Sequence, residues 1–325
     1  MNSKPLLDVQ NLVTEFGSIK DPLRVVNGIS FSIYEGETIG LVGESGSGKS
    51  VTCLSAMNLL PTARVSGSVR WKSESVLDAP RHRHQSWMGK EMAMIFQSPQ
   101  ASFNPVFTIG YQFIETIQAH HRVSKPVAKQ MAIELLKQVN IPDPELRMSD
   151  YPHQFSLGMC QRMMIALTLS MSPSLLIADE PTASLDVTIQ AQVMALIEDI
   201  KQTHPLSVLL ISHDLGLVAQ YCDRVMVMYL GDIVESGPTV DVFQNPQHPY
   251  TISLLQSIPS TNPHHRVRPV PIMGDIPSPK HRPSGCPFNP RCPLKTSRCV
   301  SERPSITTGQ HRHHVACFES ALYQG

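Results

Sequence analysis

The chain of 325 residues is long enough for one large core or two smaller ones, and its 41% hydrophobic and 17% charged content suits a folded protein rather than a disordered one. Lys plus Arg balance Asp plus Glu at 27 each, so no overall field draws the chain to nucleic acid. The longest apolar runs, "SLLIADE" and "VMVMYL", are far too short to span a bilayer, and the start "MNSKPLLDVQ" lacks the charged-then-apolar pattern of a secretory signal.

Residues 1–240 alternate short β-branched runs with helical patterns, without an internal repeat, which predicts an α/β domain around a largely buried sheet. "TIGLV" (38–42) reads as a central strand. It leads into "GESGSGKS" (43–50) and the helical pattern "VTCLSAMNLL", the strand–loop–helix setting in which G-x-x-x-x-G-K-[ST] binds phosphate. Gly43, Gly46 and Gly48 let backbone amides turn toward a pyrophosphate, and the helix N-terminus adds partial positive charge. Glu44, Ser45 and Ser47 complete the loop, Lys49 is suited to the β/γ-phosphates and the Ser50 hydroxyl to Mg2+. A Gly-rich turn without a ligand is the bland alternative, and the flanking elements disfavour it.

Gln97, in "MIFQSPQ", ends another apolar run and by itself carries no meaning. Between about 98 and 170 the pattern turns helical. "VAKQMAIELLKQV" (127–139) predicts an amphipathic helix started by Ser124 and Pro126, with Val127, Met131, Leu135 and Val139 on one face. "FSLGMCQR" (155–162) follows the turn "DYPHQ" and opens an apolar helix that Pro173 ends. "LLIADE" (175–180) reads as a strand ending in two carboxylates, with Asp179 suited to hold Mg2+ through its hydration shell and Glu180 to orient or deprotonate the attacking water. An acidic pair after a strand is usually a solvated loop; paired with a phosphate loop it becomes a hydrolytic signal. "SVLLIS" (207–212) predicts a third strand, ending at His213. A lone His there is more often structural, yet such strand ends are where these sheets bind ligands.

From about 240 the composition shifts to Pro and His, which predicts a separate extension over 241–325 with little regular structure before the cysteines. Of the seven cysteines, Cys286, Cys292, Cys299 and Cys317 crowd the last 40 residues, a pattern that in a cytosolic chain points to metal more than to disulfides. Without a C-x-x-C pair they fit no short zinc ribbon. Four thiolates can hold an Fe–S cluster or a tetrahedral Zn2+, with His311, His313 and His314 as substitute Zn2+ ligands. Four buried or free thiols are the remaining reading.

In order along residues 6–240, the phosphate loop, "FQSPQ" (96–100), "FSLGMCQR", "DEPTASLD" (179–186) and "ISHD" (211–214) resemble the motifs of an ABC transporter ATP-binding subunit. The resemblance implies a P-loop NTPase fold of α/β class, with a RecA-like core, a β-subdomain and a helical subdomain over about 98–170. It implies an ATPase that uses ATP and Mg2+ and faces a second ATPase subunit head to tail, each ATP lying between one phosphate loop and the other signature loop. Carried over by residue, Ser156 and Gly158 touch the partner's γ-phosphate, with Gln161 in the same loop. Gln97 senses Mg2+ and couples to the membrane subunit, His213 contacts the γ-phosphate, and Asp186 belongs to the D-loop. Phe16, in "TEFG", falls where the family stacks an aromatic on adenine, although it could as easily pack on the domain.

"NPQHPYTISLLQSIP" (245–259) and "GCPFNPRCP" (285–293) are similar to the tail of oligopeptide and dipeptide importer ATPases, a branch with relatives for nickel, glutathione or metallophores. That implies two membrane permease subunits, an external solute-binding protein, a place on the cytoplasmic face of the inner membrane and a [4Fe–4S] cluster at the four cysteines, with Zn2+ as the alternative. A soluble ABC ATPase acting on nucleic acid or ribosomes would carry tandem cassettes, long insertions or basic arms. A binding-only regulatory subunit is opposed by intact Glu180 and His213. Two letters depart from the family. Leu157 stands where a Gly is usual, and either restricts the loop or points outward harmlessly; Cys160 replaces a frequent cation. The reading taken from them is a heterodimer with a relative of intact signature, in which the site using Lys49 does most of the hydrolysis.

Overall fold

The computed structural model describes residues 4–183, 185–257, 272–309 and 312–320. In chain order the elements begin with strands β1 (Leu7–Ser18), β2 (Asp21–Ile33) and β3 (Thr38–Val42), helix α1 (Lys49–Ala56), β4 (Arg64–Trp71) and β5 (Glu74–Ser75). A helical stretch follows with α2 (Arg81–Trp87), β6 (Met92–Ile95), α3 (Ile109–His120), α4 (Lys125–Gln138), α5 (Pro144–Arg147) and α6 (Leu157–Leu169). Then come β7 (Leu175–Asp179), α7 (Val187–Thr203), β8 (Ser207–Ser212), α8 (Leu215–Tyr221), β9 (Arg224–Tyr229) and β10 (Asp232–Pro238). The tail adds α9 (Thr239–Gln244), α10 (Pro249–Gln256), α11 (Ser297–Ser301), β11 (Thr307–Thr308) and β12 (His314–Val315). Among the described residues no helix is long and apolar enough to cross a membrane.

Two compact units result, one of Met1–Ala79 with Leu210–Gly325 and one of Pro80–Leu209. The first unit contains an antiparallel sheet in the order β2-β1-β4-β5. Its other strands run parallel at β3–β9, where Ile39 opposes Arg224 and Val42 opposes Val227, and antiparallel at β9–β10. Every residue of β3 is buried, which its unbroken apolar letters predict. The tail joins this unit through main-chain pairing, since β12 lies beside β10 with Glu235 opposite Val315. The Pro- and His-rich stretch carries the helices α9 and α10, which its composition conceals. Tyr229, Tyr250 and Phe288 form an aromatic core for the tail, with ring centroids 4.7 to 5.4 Å apart in edge and tilted contacts.

In the second unit β6 and β7 pair in parallel, Met92 opposite Leu175 and Ile95 opposite Ala178, and both are fully buried. Helix α4 starts at the predicted Ser124 cap with Pro126 in its first turn, and of the expected face Val139 is buried and Met131 and Leu135 half-buried, while the most covered positions are shifted around the helix. Ala128, Ala132, Ile133 and Leu136 are covered, whereas Val127 is 48% exposed. Helix α4 packs against α3 and α6, and small Ala side chains at covered positions permit close helix approach.

Candidate nucleotide site and cysteine pocket

The phosphate loop forms because glycine stands where the backbone turns left-handed against covered surface. Gly43 has φ +152° and an added Cβ would lie 2.2 Å from the Met228 carbonyl oxygen; Gly48, which caps α1, has φ +105° and would meet the Val25 carbonyl at 3.0 Å. Lys49 opens α1 with 6% exposure, and its Nζ donates to the carbonyls of Gly43 at 2.8 Å and Glu44 at 3.0 Å. The loop is thus closed on itself by the side chain expected to reach phosphate. Ser45 and Gly46 are exposed, Ser50 is half-buried in the first turn of α1, and Ser47 is buried with its Oγ lacking a hydrogen-bond partner among the described residues. Phe16 is half-buried on β1, opposite Leu23. His213 is exposed immediately after β8.

Three contacts fix Glu44, and two of them come from residues to which no local sequence signal points. Its backbone N–H donates to the Tyr250 hydroxyl at 2.8 Å, and burial pushes that phenol well above its ordinary pKa, so it remains a hydroxyl. Its carboxylate accepts two bonds from the Arg291 guanidinium, at 2.7 and 3.1 Å. Its carbonyl is the Lys49 contact already described.

In the second unit the acidic pair sits at the end of β7. Asp179 is 6% exposed, and Glu180 adopts φ +48°, a left-handed conformation that a Glu holds only under constraint. The Glu180 Oε2 accepts from the Gln97 amide at 2.9 Å, which brings together two residues 83 positions apart. Asp186 caps α7 by accepting from the Ile189 N–H at 3.0 Å. Ser156 is the exposed N-cap of α6, accepting from the Met159 N–H at 3.2 Å. Leu157 is then the first residue of a regular helix and does not have positive φ, so it needs no glycine conformation. Gly158 is the position where space is short, since a Cβ would come within 3.1 Å of Ile189. Cys160 is fully buried, with its thiol 3.6 Å from the Pro152 carbonyl, so it acts as core rather than as a missing cation. Gln161 is also buried, at 3% exposure, and does not share the open setting of Ser156.

The four tail cysteines line one cavity together with His248, Phe288 and Phe318. Burial raises the Cys286 thiol to about 12 and the Cys317 thiol to about 11. His248 is buried at the cavity wall. Its Nδ1 accepts the Tyr250 N–H at 3.0 Å, while its Nε2 has no hydrogen-bond partner among the described residues. Among the described residues no three His, Cys, Asp or Glu side chains converge on a position for a single ion. His313 is turned to Glu235 at 2.7 Å and His314 to Thr308 at 2.9 Å, while His311 lies outside the described residues.

The comparisons with known proteins agree with this layout. Residues 26–183 match the family "ABC transporter", and residues 234–299 match "Oligopeptide/dipeptide transporter, C-terminal region". The dipeptide transport ATP-binding protein DppD of Haemophilus influenzae is 44% identical over 312 residues, 95% of this chain and 92% of that protein. The oligopeptide transport ATP-binding protein AppD of Bacillus subtilis is 45% identical over 316 residues, 96% of each. The chain belongs to the ATP-binding subunits of oligopeptide/dipeptide-type ABC transporters. Among solved structures this ABC subunit is similar to the dimeric cassette MJ0796 bound to ADP and Pi, with TM-score 0.64 and 21% identity over 72% of this chain and 98% of that one. It is also similar to cbiO1 from Clostridium perfringens, with TM-score 0.63 and 25% identity over 75% and 92% of the two chains. The ABC subunit therefore has the cassette P-loop NTPase fold and is an ATP-hydrolysing enzyme.

Proposed function

We propose that this ABC subunit hydrolyses ATP to drive uptake of di- or oligopeptides, as the peripheral cytoplasmic ATPase of an importer with two permease subunits and an external binding protein. The observation that carries the reading is the match of residues 234–299 to the oligopeptide/dipeptide transporter tail, in a chain aligned nearly end to end with dipeptide and oligopeptide relatives. In this reading Lys49 and the amides of Gly46 to Ser50 hold the β/γ-phosphates, while Ser50, Asp179 and Gln97 serve Mg2+, which supplies charge neutralisation. Glu180 orients the attacking water, and its bond to Gln97 supports this by fixing the carboxylate before water arrives. His213 meets the γ-phosphate and Phe16 the adenine. The open Ser156 and the closely packed Gly158 support a signature loop offered to the partner subunit, with Asp186 at its side. The partner is a related but distinct ATPase, a reading that rests on half-buried Leu157 standing where the family usually has Gly.

The tail centre is a [4Fe–4S] cluster held by Cys286, Cys292, Cys299 and Cys317. The donor set is what supports it: the four thiols line one cavity, and four thiolates can hold a cluster. The orphaned Nε2 of His248 on the same wall is a donor suited to a sulfide. Bound there, a cluster would add a covalent staple beside the aromatic core of Tyr229, Tyr250 and Phe288. Anaerobic purification tests it: brown protein with iron and sulfide supports the cluster, whereas colourless protein with stoichiometric zinc, or without metal, refutes it. Transport is tested with the complete complex in liposomes. ATPase activity should rise when the binding protein carries peptide; stimulation by nickel or a metallophore alone would refute the peptide reading.

A further inference from the structure

The turn that carries Cys286 and Cys292 also carries Arg291, whose side chain is 4% exposed and makes the bidentate bond to Glu44 of the phosphate loop. We propose that Arg291 is a positioning residue for the phosphate loop, neutralising Glu44 so that Lys49 stays available to the β/γ-phosphates and joining the cysteine pocket to the nucleotide site. The proposal rests on the phosphate-loop roles assigned above.

The geometry is specific. The guanidinium lies 5.8 Å from the Tyr229 ring centroid and 3.4 Å from the Tyr229 hydroxyl, so its plane is set before it meets the carboxylate. Phe288, three residues earlier, packs against Tyr229 and against Tyr250, the residue that accepts the Glu44 N–H. Side chain and backbone of Glu44 are thus both held by the tail. The Cys286 carbonyl accepts from the Asn289 N–H at 3.0 Å and from its side-chain amide at 2.8 Å, and the Phe288 carbonyl accepts from the Arg291 N–H at 3.0 Å. These bonds make the segment one rigid turn from Cys286 to Arg291.

A carboxylate on a loop built for polyphosphate is an electrostatic liability. With Arg291 bound, its charge is matched by a planar fork of donors. Without Arg291 the cation of its own loop is Lys49, whose Nζ already lies 3.0 Å from the Glu44 carbonyl. A carboxylate drawn to that amine competes with the phosphates for it. Loss of Arg291 therefore acts on nucleotide affinity, and acts through Glu44.

The test is a cycle measured by calorimetric binding of Mg-ATP to the full-length chain and by KM and kcat of the assembled transporter. Arg291→Met keeps the buried stem and removes the charge; it should weaken binding about tenfold or more and raise KM with little change in kcat. In a Glu44→Gln background the same Met substitution should cost less than about twofold. Arg291→Lys should fall between the native chain and Met, and if the Met chain does not fold, Lys carries the cycle with a smaller penalty that again disappears with Glu44→Gln. An Arg291 penalty that is absent, that falls on kcat alone, or that persists in the Glu44→Gln background overturns the assignment. Lys49→Ala tests the phosphate-loop role separately, since it should abolish binding whatever stands at 44 and 291.

Discussion

Removing the Glu235 carboxylate should loosen the tail from the nucleotide-binding unit. Glu235 lies on β10 with 1% exposure and accepts three bonds, from the Gln247 N–H at 2.7 Å, the His248 N–H at 2.9 Å and His313 Nε2 at 2.7 Å. Two of those donors lie at the entrance of α10 and the third beside β12, so one side chain ties both ends of the tail to the sheet. Glu235→Ala leaves three donors without an acceptor, each worth about 1–3 kcal/mol when buried and unsatisfied. Water entering the space offsets part of this, so a loss of about 4 kcal/mol is the working value, against a total stability on the order of 5–15 kcal/mol. Glu235→Gln keeps one acceptor oxygen but turns an amide toward a donor, and should lose about half as much. Urea unfolding of the full-length chain measures both, with limited proteolysis reporting whether the tail opens first. A loss below about 1 kcal/mol for the Ala chain would refute the placement of Glu235 as the hub of the tail.

Glu180→Gln should keep ATP binding, trap a closed pair of ATPase subunits and reduce turnover of the assembled complex by at least about a hundredfold; turnover at the native rate would remove Glu180 from water activation. Leu157→Gly should cost about 0.5–1 kcal/mol of helix stability while raising hydrolysis at the site that this loop completes, measured by site-resolved nucleotide trapping. Equal turnover at both sites of the native complex would show that Leu157 is harmless. For α4, Ala132→Leu should destabilise the chain by about 1–3 kcal/mol through overpacking, whereas Val127→Gln should change thermal stability by less than about 0.5 kcal/mol; the reverse order would restore the face expected from sequence.

What could be read from the sequence depended on whether its cause was local. Strands β3, β7 and β8 coincide with the predicted runs because each is a short buried stretch that must be apolar throughout and is bounded by a turn or a polar end. The phosphate loop is legible because its glycines answer steric limits within eight residues. The covered face of α4 is only partly legible, with Val139 buried as expected but Val127 exposed, because periodicity weighs Val above the Ala residues that the packed face uses. At Leu157 the sequence shows the departure from Gly but not the backbone, which is set by the N-cap at Ser156 and is helical without positive φ. The pairing of Glu44 with Arg291 spans 247 positions and that of Asn27 with Asp232 spans 205, so no window of sequence could announce either. The Pro- and His-rich tail looked unstructured because it is organised by aromatic contacts and by Asp232, which bonds both Arg282 and Arg303, and not by periodic apolar letters.

The interrupted order of the first unit also sets a schedule for the ribosome. Thr38, at the start of β3, donates its N–H to the Asp223 side chain 185 residues later, and β3 lies beside β9 over the same interval. At a synthesis rate of roughly 5–20 residues per second, a fully apolar strand followed by an empty phosphate loop waits on the order of ten to forty seconds for that neighbour. The Glu44 clamp comes later still, because Arg291 lies 247 residues after Glu44. A nascent chain stalled before residue 291 therefore presents a nucleotide loop with an unmatched carboxylate, and full nucleotide affinity waits on synthesis of the Arg291 turn.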